Sequence, residues 1–280
     1  PSTEITEAAS RYERIATEWA TNEKVGVEVA VGAAIAGARA MSCMKHVGVN
    51  VAADPIFTAS YTGINGGLVI VVADDPGMHS SQNEQDSRNY ARAAKLPMLE
   101  AADSNDCLRM TREAFAISEQ FDTPVMVRLT TRVAHARSMV ETGEPQPQTL
   151  RPYTKDMGKY VMMPAMAIRR HTVVEQRMLE IQKAADTVGM HEVKKGTSGL
   201  GIVTSGVTWQ YVREALPDAS VFKLGMVWPL PVDAIREFAA TVDRLVVIEE
   251  LDPIIETELR AAGIICEGKE LFSREGEYSV

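Results

Sequence analysis

The apolar positions of this chain change their period several times, and each change marks an element. Residues 67–73 (GLVIVVA) form an unbroken run rich in β-branched side chains, stopped by Asp74-Asp75-Pro76-Gly77. A short run without polar alternation predicts a parallel strand buried on both faces and followed by a turn. Residues 124–129 (PVMVRL) repeat the pattern, and 96–100 suggest another short strand. Between them, 104–120 predicts a helix with Leu108, Phe115 and Ile117 turned inward. At the start, Pro1-Ser2-Thr3-Glu4 has the proline, capping hydroxyl and early acid of a helix N-terminus. Residues 30–40 are a run of small side chains that includes Gly32 and Gly37. Such a helix lets another backbone or a flat ligand come close. Tight packing within the chain is the plainer account, since a glycine inside a helix costs roughly 1 kcal/mol against alanine.

Residues 144–152 hold three prolines and read as a boundary, and 168–188 predicts one long helix in a connecting segment. Beyond it, 200–204 (LGIVT), 221–224 and 244–249 (RLVVIE) predict strands, and 208–216, 232–240 and 251–263 predict helices. Ser205-Gly206 reads as a tight strand-to-helix turn. Strand and helix in alternation predict α/β architecture with two parallel-sheet units. The first covers 1–145, a linker and helix cover 146–195, and the second covers 196–280. There is no short-period repeat or low-complexity tract.

Composition narrows the function classes. Hydrophobic residues at 45% and charged residues at 24% suffice for a real core, and a net charge of -9 argues against nucleic acid or an anionic membrane surface as partner. No apolar run has membrane-spanning length. Cys43, Cys107 and Cys266 are far apart with no C-x-x-C, which fits a reduced, cytoplasmic setting. Neither a zinc knuckle nor an iron–sulfur cluster is expected from them alone.

Four features could carry chemistry. Glu28 heads the small-residue helix, where the helix dipole alone would favour an acid; a carboxylate facing a ligand in a dry crevice is the functional alternative. Residues 74–88 follow the carboxyl end of a buried strand, where open parallel sheets bind ligands, and combine imidazole, hydroxyls, amides, acids and a guanidinium. A solvated loop has a similar composition. Thr130-Thr131-Arg132-Val133-Ala134-His135 follows the next strand at the same sheet edge, as crevice wall or as plain turn. Glu249-Glu250 ends a strand and suits an interface. Gly199-x-Gly201 precedes its strand, so it is not a dinucleotide loop. No G-x-S-x-G, H-E-x-x-H or Walker A segment is present.

These segments resemble a known family. Pro1–Ile5, the stretch 28–39 (EVAVGAAIAGAR), 74–88 (DDPGMHSSQNEQDSR), 130–135 (TTRVAH) and 245–253 (LVVIEELDP) are similar to the alpha subunits of indolepyruvate ferredoxin oxidoreductases, thiamine-diphosphate-dependent 2-oxoacid:ferredoxin oxidoreductases. The resemblance implies a pyrimidine-binding domain followed by a transketolase C-terminal-like domain. It implies oxidative decarboxylation of aryl 2-oxoacids to acyl-CoA in amino-acid catabolism, with electrons passed to ferredoxin. It makes Glu28 the catalytic and cofactor-binding acid, hydrogen-bonded to the aminopyrimidine. It makes His79, Ser80, Ser81, Gln82, Asn83 and Arg88 the substrate contacts. The implied partners are a beta subunit, ferredoxin, the 2-oxoacid and CoA. The family's G-D-G…N segment for Mg2+ and diphosphate is missing here, as are the cysteine groups for [4Fe-4S] clusters and a threonine ahead of Pro1. The chain is therefore expected to be about the first half of an alpha subunit, inactive alone. Another thiamine enzyme, such as a transketolase-like transferase, and a non-catalytic assembly subunit are the alternatives.

Overall fold

The computed structural model describes residues 2–145 and 148–280. Pro1 and the first residues past the expected 145/146 boundary lie outside them. The chain opens with α1 (Thr3–Ala9), where Ser2 is the N-cap but makes no side-chain capping bond. α2 (Glu23–Ile35) is capped by Asn22, whose side chain accepts the Val25 amide at 3.0 Å. The helix thus starts well before Glu28, which lies beyond the first turn, where a dipole effect has faded.

β1 (Ala40–Lys45) and α3 (His46–Thr62) come next, and sequence pattern anticipated neither. β1 is only partly buried and carries no long apolar run, and α3 contains Pro55, which ordinarily argues against a helix interior. In the remainder of the first unit β2 (Leu68–Asp74), β3 (Met98–Glu100), α5 (Ser104–Phe121) and β4 (Val125–Thr130) follow expectation, whereas α4 (Arg88–Ala94) was not anticipated and 130–135, expected as crevice wall or plain turn, contains the short helix α6 (Thr131–His135). α5 buries Met110, Ala114 and Ile117, with Phe115 only partly covered, and Leu108 is exposed, contrary to expectation. Its phase is set by Asp103, which caps the helix through the Asp106 amide at 2.9 Å and places Leu108 beside the apolar stripe.

α7 (Met157–Tyr160) and α8 (Pro164–Val188) occupy the connecting segment. The second half contains β5 (Glu192–Lys194), β6 (Leu200–Ser205), α9 (Thr208–Ala215), β7 (Ser220–Leu224), β8 (Met226–Trp228), α10 (Val232–Ala239), β9 (Arg244–Ile248) and α11 (Ile254–Ala261). The first sheet has the order β1-β2-β4-β3-β8, and the second β5-β7-β6-β9. Both are parallel as expected, except that β8 runs antiparallel to β3 and β5 antiparallel to β7. β2 and β4 are buried along their whole length, because helices cover both faces of the sheet. Lys45 pairs with Ala73, and Asp74 with Thr130, so the carboxyl ends of β1, β2 and β4 lie side by side.

Candidate functional site

The loop after β2 is tied down by one carboxylate. Asp75 accepts the amides of His79 and Ser80 at 3.2 and 2.8 Å, the Ser81 hydroxyl at 2.7 Å and the Thr131 hydroxyl at 2.8 Å. Burial works against the charge, but these four donors hold the Asp75 carboxyl down at about 2. The chain reverses through Gly77 at φ 82° and Met78 at φ 53°. A left-handed methionine is uncommon and costs energy that the surrounding bonds must supply. Glu84 accepts the Gly77 amide at 2.6 Å, and the Lys45 ammonium donates to the Ser80 carbonyl. The result is a fixed loop whose His79, Ser80, Gln82 and Asn83 face outward and whose Ser81 is half-buried.

His46 completes the clamp, and sequence reasoning missed it. Its imidazole is fully buried, with Nε2 3.1 Å from the Asn83 carbonyl. A carbonyl only accepts, so Nε2 carries the hydrogen; Nδ1 is buried without a hydrogen-bond partner among the described residues. The signal was the place of His46 at the end of β1, legible only once β1 is known.

The structure corrects the role expected of Arg88. Its side chain is 1% exposed and locked between the two units. It pairs with Asp86 at 2.6 Å and Glu249 at 2.6 Å, and donates to the Glu250 and Asp252 carbonyls at 2.8 and 3.0 Å. Glu249 is further held by the Ile255 and Glu256 amides at the start of α11. Beside this group, buried Arg128 bridges Asp74 at 2.6 Å and Glu100, and Glu100 accepts the Ser205 hydroxyl at 2.9 Å. Gly206, at φ 55°, makes the expected turn; a Cβ there would sit 2.4 Å from Glu100. Burial pushes the Asp74, Glu249 and Glu250 carboxyls up, Glu250 to about 7. Glu249-Glu250 is thus an interface inside the chain.

The segment 276–278 joins three of the four features. Glu277 pairs with Arg132, its Oε2 accepting Nε at 2.7 Å, and with His79 at 3.4 Å. The Gly276 amide donates to Glu84 at 3.3 Å and the Tyr278 amide to Glu250 at 2.8 Å. Glu28 stands apart from this group on α2. Its side chain is 52% exposed, and its ion pair is with Lys24 at 4.0 Å. One turn further along that helix, Gly32 is exposed, and a Cβ there would meet nothing within 4 Å. Among the described residues, nothing packs against that glycine closely enough to require it.

A buried parallel sheet thus carries this loop at its carboxyl edge, with the exposed acid Glu28 on the helix ahead of β1. Residues 1–195 match the family described as pyruvate flavodoxin/ferredoxin oxidoreductase, thiamine diphosphate-binding, and the chain belongs to that family of 2-oxoacid oxidoreductases. Residues 192–267 match the indolepyruvate oxidoreductase domain.

Among curated proteins it is similar to indolepyruvate oxidoreductase subunit IorA. Identity is 42% over 274 residues with that of Methanothermobacter thermautotrophicus, covering 93% of this chain and 44% of the relative. It is 39% over 277 residues with that of Archaeoglobus fulgidus, covering 94% and 44%. The chain therefore spans less than half the length of these relatives. In fold it resembles the 2-oxoglutarate:ferredoxin oxidoreductase of Magnetococcus marinus, with a TM-score of 0.75 at 18% identity over 100% of this chain and 57% of that one. It also resembles a split-gene transketolase, with a TM-score of 0.60 at 16% identity over 95% and 78%.

Proposed function

We propose that this chain supplies the aminopyrimidine side of the thiamine diphosphate site in an enzyme that oxidatively decarboxylates aryl 2-oxoacids of the indolepyruvate type. Ferredoxin takes the electrons and CoA the acyl group, and a beta subunit completes the assembly. The observation that carries this reading is the pairing of Glu28 with Gly32 on one open helix face. Among the described residues, the carboxylate has only the exposed Lys24 as ion-pair partner, and the glycine leaves room that none of them fills. A flat ring system can lie against that face, so the residues fit the pyrimidine half of the cofactor. Among the described residues, no group of three or more His, Cys, Asp or Glu side chains could hold a metal ion. Mg2+, the diphosphate and the [4Fe-4S] clusters are assigned to the part of the relatives that the match leaves uncovered and to the partner.

Thiamine diphosphate, when bound, supplies the carbon nucleophile and the electron sink that decarboxylation needs. Glu28 would accept and share a ring proton of the aminopyrimidine, a role that glutamine cannot fill. The outward side chains of the clamped loop, His79, Ser80, Gln82 and Asn83, would meet the 2-oxoacid with donors for its carboxylate and carbonyl, and Ser81, whose hydroxyl is given to Asp75, would hold the loop that carries them. Arg88 would act one step back, by fixing the base of that loop against the second unit.

The test is Glu28→Gln in the complete heteromeric enzyme. A proton-transfer partner is worth roughly 10²–10⁴-fold in rate, whereas an exposed helix charge is worth only tenths of a kcal/mol in stability. Folding and assembly should be unchanged, and C2 proton exchange and 2-oxoacid oxidation should fall at least about a hundredfold. Rates within about threefold of the parent would remove Glu28 from the mechanism.

A further inference from the structure

Glu277 occupies a position that the chain's stability does not explain. Its carboxylate lies between Arg132, 58% exposed, and His79, 48% exposed, and ion pairs this open contribute about 0–1 kcal/mol. The geometry is nonetheless specific. Arg132 presents Nε and one terminal nitrogen to the two carboxylate oxygens, the two-point fork by which guanidinium groups recognise carboxylates. The two partners of Glu277 come from two neighbouring parallel strands, His79 from the loop after β2 and Arg132 from α6 after β4. Their segments are joined through Asp75, which accepts the His79 amide and the hydroxyl of Thr131, the residue before Arg132. Glu277 itself arrives on a segment without regular structure, held by the Gly276 and Tyr278 amides. Arg88 is buried, whereas the Arg132 guanidinium is exposed.

We infer that Arg132 and His79 form a carboxylate-binding subsite for a small 2-oxoacid anion. Glu277 is its internal occupant, displaced when the substrate carboxylate enters. The substrate class rests on the thiamine reading above; the carboxylate specificity rests on the fork and its stand-in. Removing the stand-in should therefore help the substrate, and removing the fork should hurt it. A residue that merely braced the loop would show no such opposition.

The experiment uses the full-length chain assembled with its partner subunit. KM and kcat are measured for an arylpyruvate, and calorimetry compares binding of the matching aryl-acetate anion with that of its neutral amide. Arg132→Gln should raise KM and the anion's Kd about ten- to a hundredfold, the size of one charge-assisted hydrogen bond, with kcat within about threefold and amide binding unchanged. Glu277→Gln should lower both KM and the anion's Kd severalfold. Normal turnover with KM and anion binding unmoved in Arg132→Gln would overturn the subsite and leave the thiamine reading intact, as would a raised KM in Glu277→Gln. If the parent enzyme turns over no arylpyruvate but still prefers the anion to the amide through Arg132, the subsite stands and the thiamine reading falls.

Discussion

Replacing Glu250 by glutamine removes a buried charge and keeps the acceptor oxygen that the Tyr278 amide uses. Glu250 is 5% exposed, immediately past the end of β9. Burial, chiefly, pushes its carboxyl from 4.5 up to about 7; Glu100 and Glu277 add to the rise, and the Tyr278 amide and Arg128 oppose it. The folded state therefore holds a proton that the unfolded chain releases. Stability owed to that proton is fully present below pH 4.5 and is lost as pH climbs through about 7. A rise of about 2.5 pH units corresponds to about 3 kcal/mol at neutral pH and above. Wild type and Glu250→Gln should thus differ little near pH 4.5 and diverge until the variant is ahead by about 3 kcal/mol at pH 8. That is roughly 6–12 °C in Tm for a chain of this size. Thermal unfolding followed by circular dichroism across this pH range gives the difference directly. Parallel stability curves for the two proteins would refute the reasoning, because they would mean that Glu250 titrates alike in both states.

Three further outcomes follow from the same region. Arg88→Met should cost about 3–5 kcal/mol by leaving Asp86 and Glu249 buried without their cation, and Glu249→Leu added to it should restore part of the loss in thermal unfolding. Gly206→Ala should lower the urea midpoint by the equivalent of about 1–2 kcal/mol from its left-handed backbone alone, and further because the new Cβ would crowd Glu100. His46→Ala should speed amide hydrogen exchange across residues 79–85, whereas His46→Gln, which can still donate to the Asn83 carbonyl, should keep most of the protection.

What was legible in the sequence were the elements with a strong apolar signal. The runs that became β2, β4, β6, β7 and β9 have β-branched residues buried on both faces, and each shows at its expected place. The half-covered β1 and the proline-bearing α3 lack that signal, and with them His46 and Lys45 went unseen. The site divided in the same way. The side chains of 79–83, outward except for Ser81, could be recognised by type, because an imidazole, hydroxyls and amides together are conspicuous. Arg88 could not be placed, because its partner Glu249 is far along the chain and sequence pattern carries no record of that distance. Glu277 was invisible for a similar reason: it is an ordinary acid in a tail, given meaning only by the Arg132 guanidinium and the His79 imidazole it meets.

The two sheets finish each other. β8 closes the first sheet although it comes from beyond residue 195, where the first family match ends. β5 (Glu192–Lys194), where the two family matches overlap, closes the second. A chain cut at 195 would leave β3 with an open row of amides and carbonyls beside the buried side chains of Met98 and Leu99, a template for pairing with other chains. The segments that are recognised separately are therefore not the segments that fold separately. A chimera that exchanges the second unit for that of a relative must carry over a matching β8, or its first half is expected to be recovered as aggregate.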